Sequence, residues 1–343
     1  MAFTHSTRRR LSIWVAVTLV GAVVGALYSL GIGGDPKIGG SIGAAVGGGV
    51  MGFELFYVER PVGAWLRRLP LLAFIGATTL VWMAIIVVSL QAIPPLLGVA
   101  LAERYAQGAE SGEFLQDVGF SLVVTLFINA ALRLRSLVGG RVLASFLSGR
   151  YRRPFEQERV FMFLDLAGST TIAEGIGHIR YHSFLRAFLE DLEEPVLEHG
   201  GEVYQYVGDE VVVTWPMADR RSNGRCVACH FAIVDAIARS RRRYEARFGV
   251  VPAFRTGIHC GSVIAGEIGE HRKQIVFVGD VVNTASRVEA EARARGCDLV
   301  VSGALLTQVE LPAGVQSRPL GAVRLKGKEG QVELFELVRP ATC

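Results

Sequence analysis

Apolar and charged positions divide the chain into two halves that follow different rules. Leu11 to Leu30 carries no charged side chain, and neither does Ile38 to Phe53, Leu69 to Ala102 or Val118 to Leu132. A helix needs about 20 apolar residues to cross a bilayer core. The pattern therefore predicts an all-α transmembrane bundle over residues 1–132, with helices at 11–30, 38–58, 70–92 and 117–135. Glu54 would lie near the water boundary beside Tyr57 and Arg60, and Arg133 would snorkel outward from the fourth span. Buried helices of a soluble protein, or a cleaved signal peptide behind Arg8–Arg10, would share part of this pattern. The run from Leu11 is longer than a signal core of ~7–15 residues and lacks a small-x-small cleavage site, so an uncleaved anchor is expected.

From Arg133 to Arg159 the chain turns basic, with Leu134, Leu137, Val138, Val142, Phe146 and Leu147 at amphipathic spacing. This predicts a helical linker over 133–158, its helix ended by Pro154. Beyond it the period changes. Val160–Leu166 reads as a strand and Ser169–His199 as one helical stretch. Glu202–Val207 and Val211–Trp215 read as a hairpin turning at Gly208–Asp209. A helix over 225–248 follows, then strands at 254–259, 263–268 and 275–278, a helix over 281–295, and strands at 299–301 and 334–338. Strand–helix–strand–strand–helix–strand order predicts an α+β ferredoxin-like fold for one domain at 159–340.

Composition sharpens this picture. Half the 343 residues are hydrophobic and only 20% are charged, with a mean hydropathy of +0.36, too apolar for a soluble enzyme of this size. The net charge of +4 gives no argument for a nucleic-acid partner. Arg8–Arg10, Arg60, Arg67, Arg68, Arg133, Arg135 and Arg141 fall on one face of four alternating helices, while acidic residues dilute Lys37 and Arg104 on the other. Positive charge stays inside, which predicts a multi-pass protein of the inner (plasma) membrane with both termini cytoplasmic. Five cysteines, all in the second half, fit a reducing compartment there. Gly21/Gly25, Gly43/Gly47 and Gly48/Gly52 are spaced for close helix pairing, although a glycine-tolerant span would look the same. The spans hold no histidine for haem and no mid-span charge for an ion pathway, which argues against a transporter.

Candidate chemistry lies in the second half. Asp165 precedes Gly168-Ser169-Thr170 where a strand runs into a helix, and the backbone N–H groups there could bind a phosphate. Asp209 stands at the hairpin tip, and two carboxylates on adjacent strands could hold Mg2+. Asn283 and Arg287 are four apart, which places an amide and a guanidinium on one helix face. Lys326 offers another cation. Cys226-Val-Ala-Cys229-His230 matches a c-type haem attachment pattern but falls on a helix in the half assigned to the cytoplasm, where a chance match is expected. The chain contains no Gly-x-x-x-x-Gly-Lys-Ser/Thr phosphate loop.

Together the Phe-x-Asp165-x-x-Gly-Ser-Thr start, the Val-Gly-Asp209-Glu turn, Arg255 and the Gly-Asp-x-Val-Asn283-x-Ala-Ser-Arg287 segment resemble the class III nucleotidyl cyclases over about Arg159–Val338. The resemblance implies that Asp165, Asp209 and the Leu166 backbone carbonyl hold two ions of Mg2+ or Mn2+ per site. It implies that Asn283 positions the ribose of ATP, that Arg287 stabilises charge at the α-phosphate, and that Arg255, Lys326, Gly168, Ser169 and Thr170 hold the substrate. It also implies a homodimer with shared sites, the metal aspartates from one copy and Asn283 and Arg287 from the other. Many adenylate-specific members have a lysine where this chain has Gln205, and an aspartate or threonine where it has Val276. Gln205 still offers a donor and an acceptor to adenine, and Val276 offers backbone and packing. The expectation is a membrane-bound adenylate cyclase, with a guanylate cyclase or a catalytically silent nucleotide-binding regulator as alternatives. What ligand or partner the membrane part meets is not written in these motifs.

Overall fold

The computed structural model describes residues 5–31, 35–58, 61–97, 122, 125, 126, 129, 130, 149–270, 273–324 and 330–340. The chain divides into two units, Met1–Ala144 and Ser145–Cys343.

The first unit contains α1 (His5–Gly31), α2 (Pro36–Phe53) continued by a π-helical turn at Glu54–Val58, a 3-10 segment at Pro61–Arg68, and α3 (Leu71–Leu96). Leu11–Gly31, Pro36–Val58 and Leu71–Ile93, of 21, 23 and 23 residues, are long and apolar enough to cross a membrane. Asp35 caps α2 by accepting from the Lys37 N–H at 2.8 Å, and Pro36 enters the first turn, where its missing N–H is not needed. The glycines bring α1 and α2 into backbone contact. A Cβ on Gly21 would lie 2.4 Å from the Gly43 carbonyl oxygen, and one on Gly25 2.1 Å from that of Gly39. Trp14 Nε1 donates to the Gly48 carbonyl at 2.7 Å across the same seam. Leu19, Val20, Val23, Val24 and Leu27 of α1 are exposed, as side chains that face lipid would be.

The span expected at 117–135 and the linker helix expected from 133 lie for the most part outside the described residues. Asn129, described and helical, is buried, and its Nδ2 donates to Thr78 Oγ1 at 2.8 Å and Thr79 Oγ1 at 3.2 Å on α3. Such side-chain bonds hold helices together in an apolar solvent.

The second unit opens with β1 (Phe155–Leu166), α4 (Ser169–Ile176), α5 (His178–Glu198), β2 (Glu202–Val207), β3 (Glu210–Pro216), the one-turn α6 (Arg220–Asn223), α7 (Arg225–Phe248) and β4 (Phe254–Ile268). It closes with β5 (Gln274–Val278), α8 (Asp280–Arg295), β6 (Leu299–Ser302), α9 (Gly303–Gln308), β7 (Gln316–Arg324) and β8 (Gln331–Val338). The order β2-β3-β1-β4 with helical crossovers is the ferredoxin-like core the periodicity predicts. The sheet continues through β6, β8 and β7, and β5 pairs with the outer part of β4. Both faces are covered. Met162 and Leu164 point into a core with Phe184 and Phe188 of α5 and Ile233 and Tyr244 of α7. Phe161 and Phe163 meet Val281 and Ala285 of α8 on the other face. That is why the run from Val160 to Leu164 is unbroken apolar rather than alternating.

Four boundaries differ from the sequence reading. β1 begins at Phe155, so residues 155–158 are strand, paired with β4 from Phe155↔Ala265 onward, and not the end of a helical linker. The stretch read as one helix over 169–199 breaks at Gly177, whose φ of +81° a right-handed helix cannot hold. The strands read at 254–259 and 263–268 are one continuous β4, and β7 is a strand the periodicity did not announce.

Candidate active site

Three elements of the second unit converge at the C-terminal end of β1. Asp165 there pairs in register with Glu210 at the start of β3 and with Arg255 on β4. The two-residue turn between β2 and β3 carries Asp209 after Gly208, whose φ of +65° lets the chain reverse tightly. From the opposite side α8 brings Glu289 and Arg293. It comes this close because β4 carries glycine where the helix crosses: a Cβ on Gly257 would sit 2.1 Å from the Glu289 backbone N.

The result is an acid-rich cluster with an internal cation. Arg293 Nη2 donates to Asp165 Oδ2 at 2.8 Å and reaches Glu289 Oε2 at 3.2 Å. Burial raises the Asp165 carboxyl above its usual range; Arg293 opposes this, Asp209 adds to it and Arg255 opposes it. Glu210 is pushed up to about 7, first by burial and then by the negative charge of Glu289 and Asp165. Tyr181 of α5 is raised by burial and by Asp209, and its hydroxyl is hydrogen-bonded to Ser169. Asp165, Glu210 and Glu289 thus lie close enough to disfavour one another's charge, with Arg293 among them as the opposing cation. Among the described residues no three His, Cys, Asp or Glu side chains form a metal cage. Asp165 and Asp209 supply hard oxygen ligands, and a divalent ion there would complete its shell with other oxygens, as such ions do with substrate phosphates.

Beside the carboxylates, Gly168 (φ +71°) leads into α4, whose first turn at Ser169 and Thr170 has no side-chain cap. The leading N–H groups of such a first turn are the donors an anion can use.

The other expected residues stand apart from this cluster. Asn283 is exposed on α8, and Arg287 is half-buried with Nη1 buried and without a hydrogen-bond partner. At 3.6 residues per turn, Arg287 lies about 200° round the helix from Glu289. One copy of α8 therefore turns its Glu289–Arg293 face to Asp165 while Arg287 faces elsewhere. Gln205 is exposed on β2, and Val276 is half-buried on β5 opposite Gly266 of β4. Their neighbours Tyr204 and Phe277 pack ring against ring at 5.1 Å with their planes tilted by 57°, a contact between the two strands. Lys326 lies outside the described residues. The motif reading missed Tyr181, Glu210, Glu289 and Arg293. The Glu289–Arg293 spacing of four was a visible signal for a helix ion pair but not for its meeting Asp165.

Comparison with known proteins gives one answer. A model described as the adenylate and guanylate cyclase catalytic domain matches residues 154–338. Adenylate cyclase 2 of Rhizobium meliloti (strain 1021) is 33% identical over 288 residues, covering 84% of this chain and 79% of that protein. Adenylate cyclase 1 of the same organism is 32% identical over 192 residues, 54% of this chain and 28% of that one. A solved bacterial light-regulated adenylyl cyclase shares the fold at 18% identity with a TM-score of 0.56, covering 64% of each chain.

Proposed function

The chain belongs to the adenylate and guanylate cyclase catalytic-domain family, and from that premise we propose that it is a membrane-anchored adenylate cyclase, forming 3′,5′-cyclic AMP and pyrophosphate from ATP. The organisation is residues 1–132 in the membrane, a linker, and a catalytic domain that ends near residue 340, with both termini in the cytoplasm. Divalent metal ions are typical of this family; in this chain Asp165, Asp209 and the Leu166 carbonyl are the groups that would hold two of Mg2+ or Mn2+. Bound there, such ions would acidify the ribose 3′-hydroxyl and offset the charge of the phosphates.

The chain's own groups do the rest. The 3′-hydroxyl oxygen attacks the α-phosphorus as its proton passes to solvent, the bond from the α-phosphorus to the α,β-bridging oxygen breaks, and pyrophosphate leaves with that oxygen. Arg287 offsets charge at the α-phosphate and Asn283 orients the ribose. Arg255, Lys326 and the N–H groups at Gly168, Ser169 and Thr170 hold the polyphosphate. Gln205 addresses the adenine edge, with Val276 behind it.

The observation that carries this reading is the split of α8. Asp165 and Asp209 sit on one side, while Arg287 has a buried, unpartnered guanidinium nitrogen on a face turned away from them. A second copy would bring its Asn283 and Arg287 opposite the carboxylates. Exposed Tyr206, Val207, Ile264, Ile268 and Val278 at the β2 and β4–β5 edges give that copy apolar surface to cover.

The test is an assay with Mg2+ or Mn2+ and with ATP and GTP side by side. Asp209→Ala and Arg287→Ala chains should each fall at least about 100-fold. Mixed, they should regain activity, since one site per heterodimer is intact. Cyclic AMP from the unmodified chain with no recovery on confirmed mixing would refute shared sites. No cyclic product from dimeric protein would favour a silent regulator, and faster turnover of GTP would favour a guanylate cyclase.

A further inference from the structure

We propose that Arg293 is a built-in counter-ion for the metal site: its guanidinium is paired with Asp165 and competes with a divalent cation for that carboxylate. The proposal rests on the assignment of Asp165 as a metal ligand. A single nitrogen, Arg293 Nη2, lies 2.8 Å from Asp165 Oδ2, 3.2 Å from Glu289 Oε2 and 3.4 Å from Glu289 Oε1. One donor thus bridges two carboxylates, the arrangement a small cation would adopt.

The partners differ in mobility. The Glu289 side chain is 3% exposed and that of Asp165 13%, whereas that of Arg293 is 54% exposed. Glu289 is further fixed by the close approach of its backbone to Gly257. The carboxylates are therefore the fixed part, and the guanidinium, on a flexible stem at the solvent side, is the part that can leave. A charge of +1 and a charge of +2 repel each other at one carboxylate, so occupation by one opposes the other. Metal binding without nucleotide is then weakened by the work of moving Arg293. A nucleotide's phosphates shift the balance by adding negative charge that both cations can share.

The experiment measures Mn2+ binding to the full-length, detergent-solubilised protein without nucleotide, by the loss of the free Mn2+ electron-spin signal. Arg293→Gln should bind Mn2+ about tenfold more tightly than the unmodified chain, the ratio expected from one lost charge-assisted contact. Arg293→Lys, which keeps the charge, should stay near the unmodified value. Arg293→Met gives the same readout should the glutamine upset α8. Thermal unfolding in EDTA is a second measure: Arg293→Gln should melt below the unmodified chain and gain more from added Mn2+. Asp165→Asn is the reference that separates two failures. If Asp165→Asn removes Mn2+ binding and Arg293→Gln does not strengthen it, the counter-ion proposal is overturned and the metal assignment stands. If Asp165→Asn leaves Mn2+ binding unchanged, the metal assignment itself falls, and the Arg293 proposal with it.

Discussion

His230 shows what burial does to a residue that a motif would make functional. Cys226, Cys229 and His230 lie in the core between α7 and the sheet, and His230 Nδ1 is 2.9 Å from Thr256 Oγ1. Burial pushes the two thiols up, Cys229 to about 12, and pushes the imidazole down to about 3. The thiols are packed as small apolar groups rather than poised as thiolates. The depressed histidine has a consequence for stability. Below its unfolded value of about 6.5 the unfolded chain takes up a proton that the folded chain refuses. Its contribution is therefore complete above that pH and is lost as pH falls towards 3. Between pH 7.5 and 5.5 the unmodified protein should lose about 1 kcal/mol more than His230→Gln, by one-proton linkage. Guanidinium unfolding at both values checks this, and equal losses would contradict it. Asp165, Asp209, Asn283 and Arg287 stood out in the sequence because their segments, taken together, resemble the class III cyclases. Arg293 did not, because its partner Asp165 is 128 positions away and no local pattern encodes that meeting.

The strands and long helices of the second unit followed from apolar period, and their misses have local causes. Gly177 interrupts a helix whose apolar spacing runs on past it. Along β7, Pro319 and Gly321 straddle a register shift, which blurs the alternation that would have revealed the strand. The early start of β1 was hidden because Glu156 and Glu158 read as solvent-facing linker, although the backbone around them is fully paired with β4. The seat of α8 is also invisible in sequence, since a glycine in a strand more often signals a bulge. At Gly257 it makes room for a helix backbone, and at Gly261 a Cβ would come 2.8 Å from Val281 Cγ2. Gly257→Ala should lift α8 and destabilise the unit by about 1–3 kcal/mol, the usual range for overpacking. Denaturant unfolding measures the loss. Activity should fall as well, because Asn283, Arg287, Glu289 and Arg293 all ride on that helix.

Taken whole, the chain pairs an apolar helical unit with a catalytic fold whose site, as proposed, needs two copies. Sites shared by two chains lose activity when the copies part, so dilution is diagnostic. A piece beginning at residue 150 should lose specific activity as it is diluted. The full-length protein, if its helices keep two copies together, should hold its activity over the same range through raised effective concentration. Assays over a hundredfold dilution series of each compare them, and identical curves would mean that the helices contribute nothing to pairing. Three long apolar helices of the N-terminal unit were legible because their runs carry almost no charge, while most of the fourth expected span lies outside the described residues. The backbone contact of α1 with α2 needed coordinates, since glycine spacing alone fits a loose span equally well.

The polypeptide enters the sheet at Phe155 and leaves the same strand at Leu166, one residue past Asp165, with every position between them paired in register with β4. Ten steps along β1 span roughly 34 Å at the rise of an antiparallel strand. Phe155 and Asp165 are thus carried by one unbroken strand, and where the chain enters the sheet fixes the line along which the carboxylate is presented.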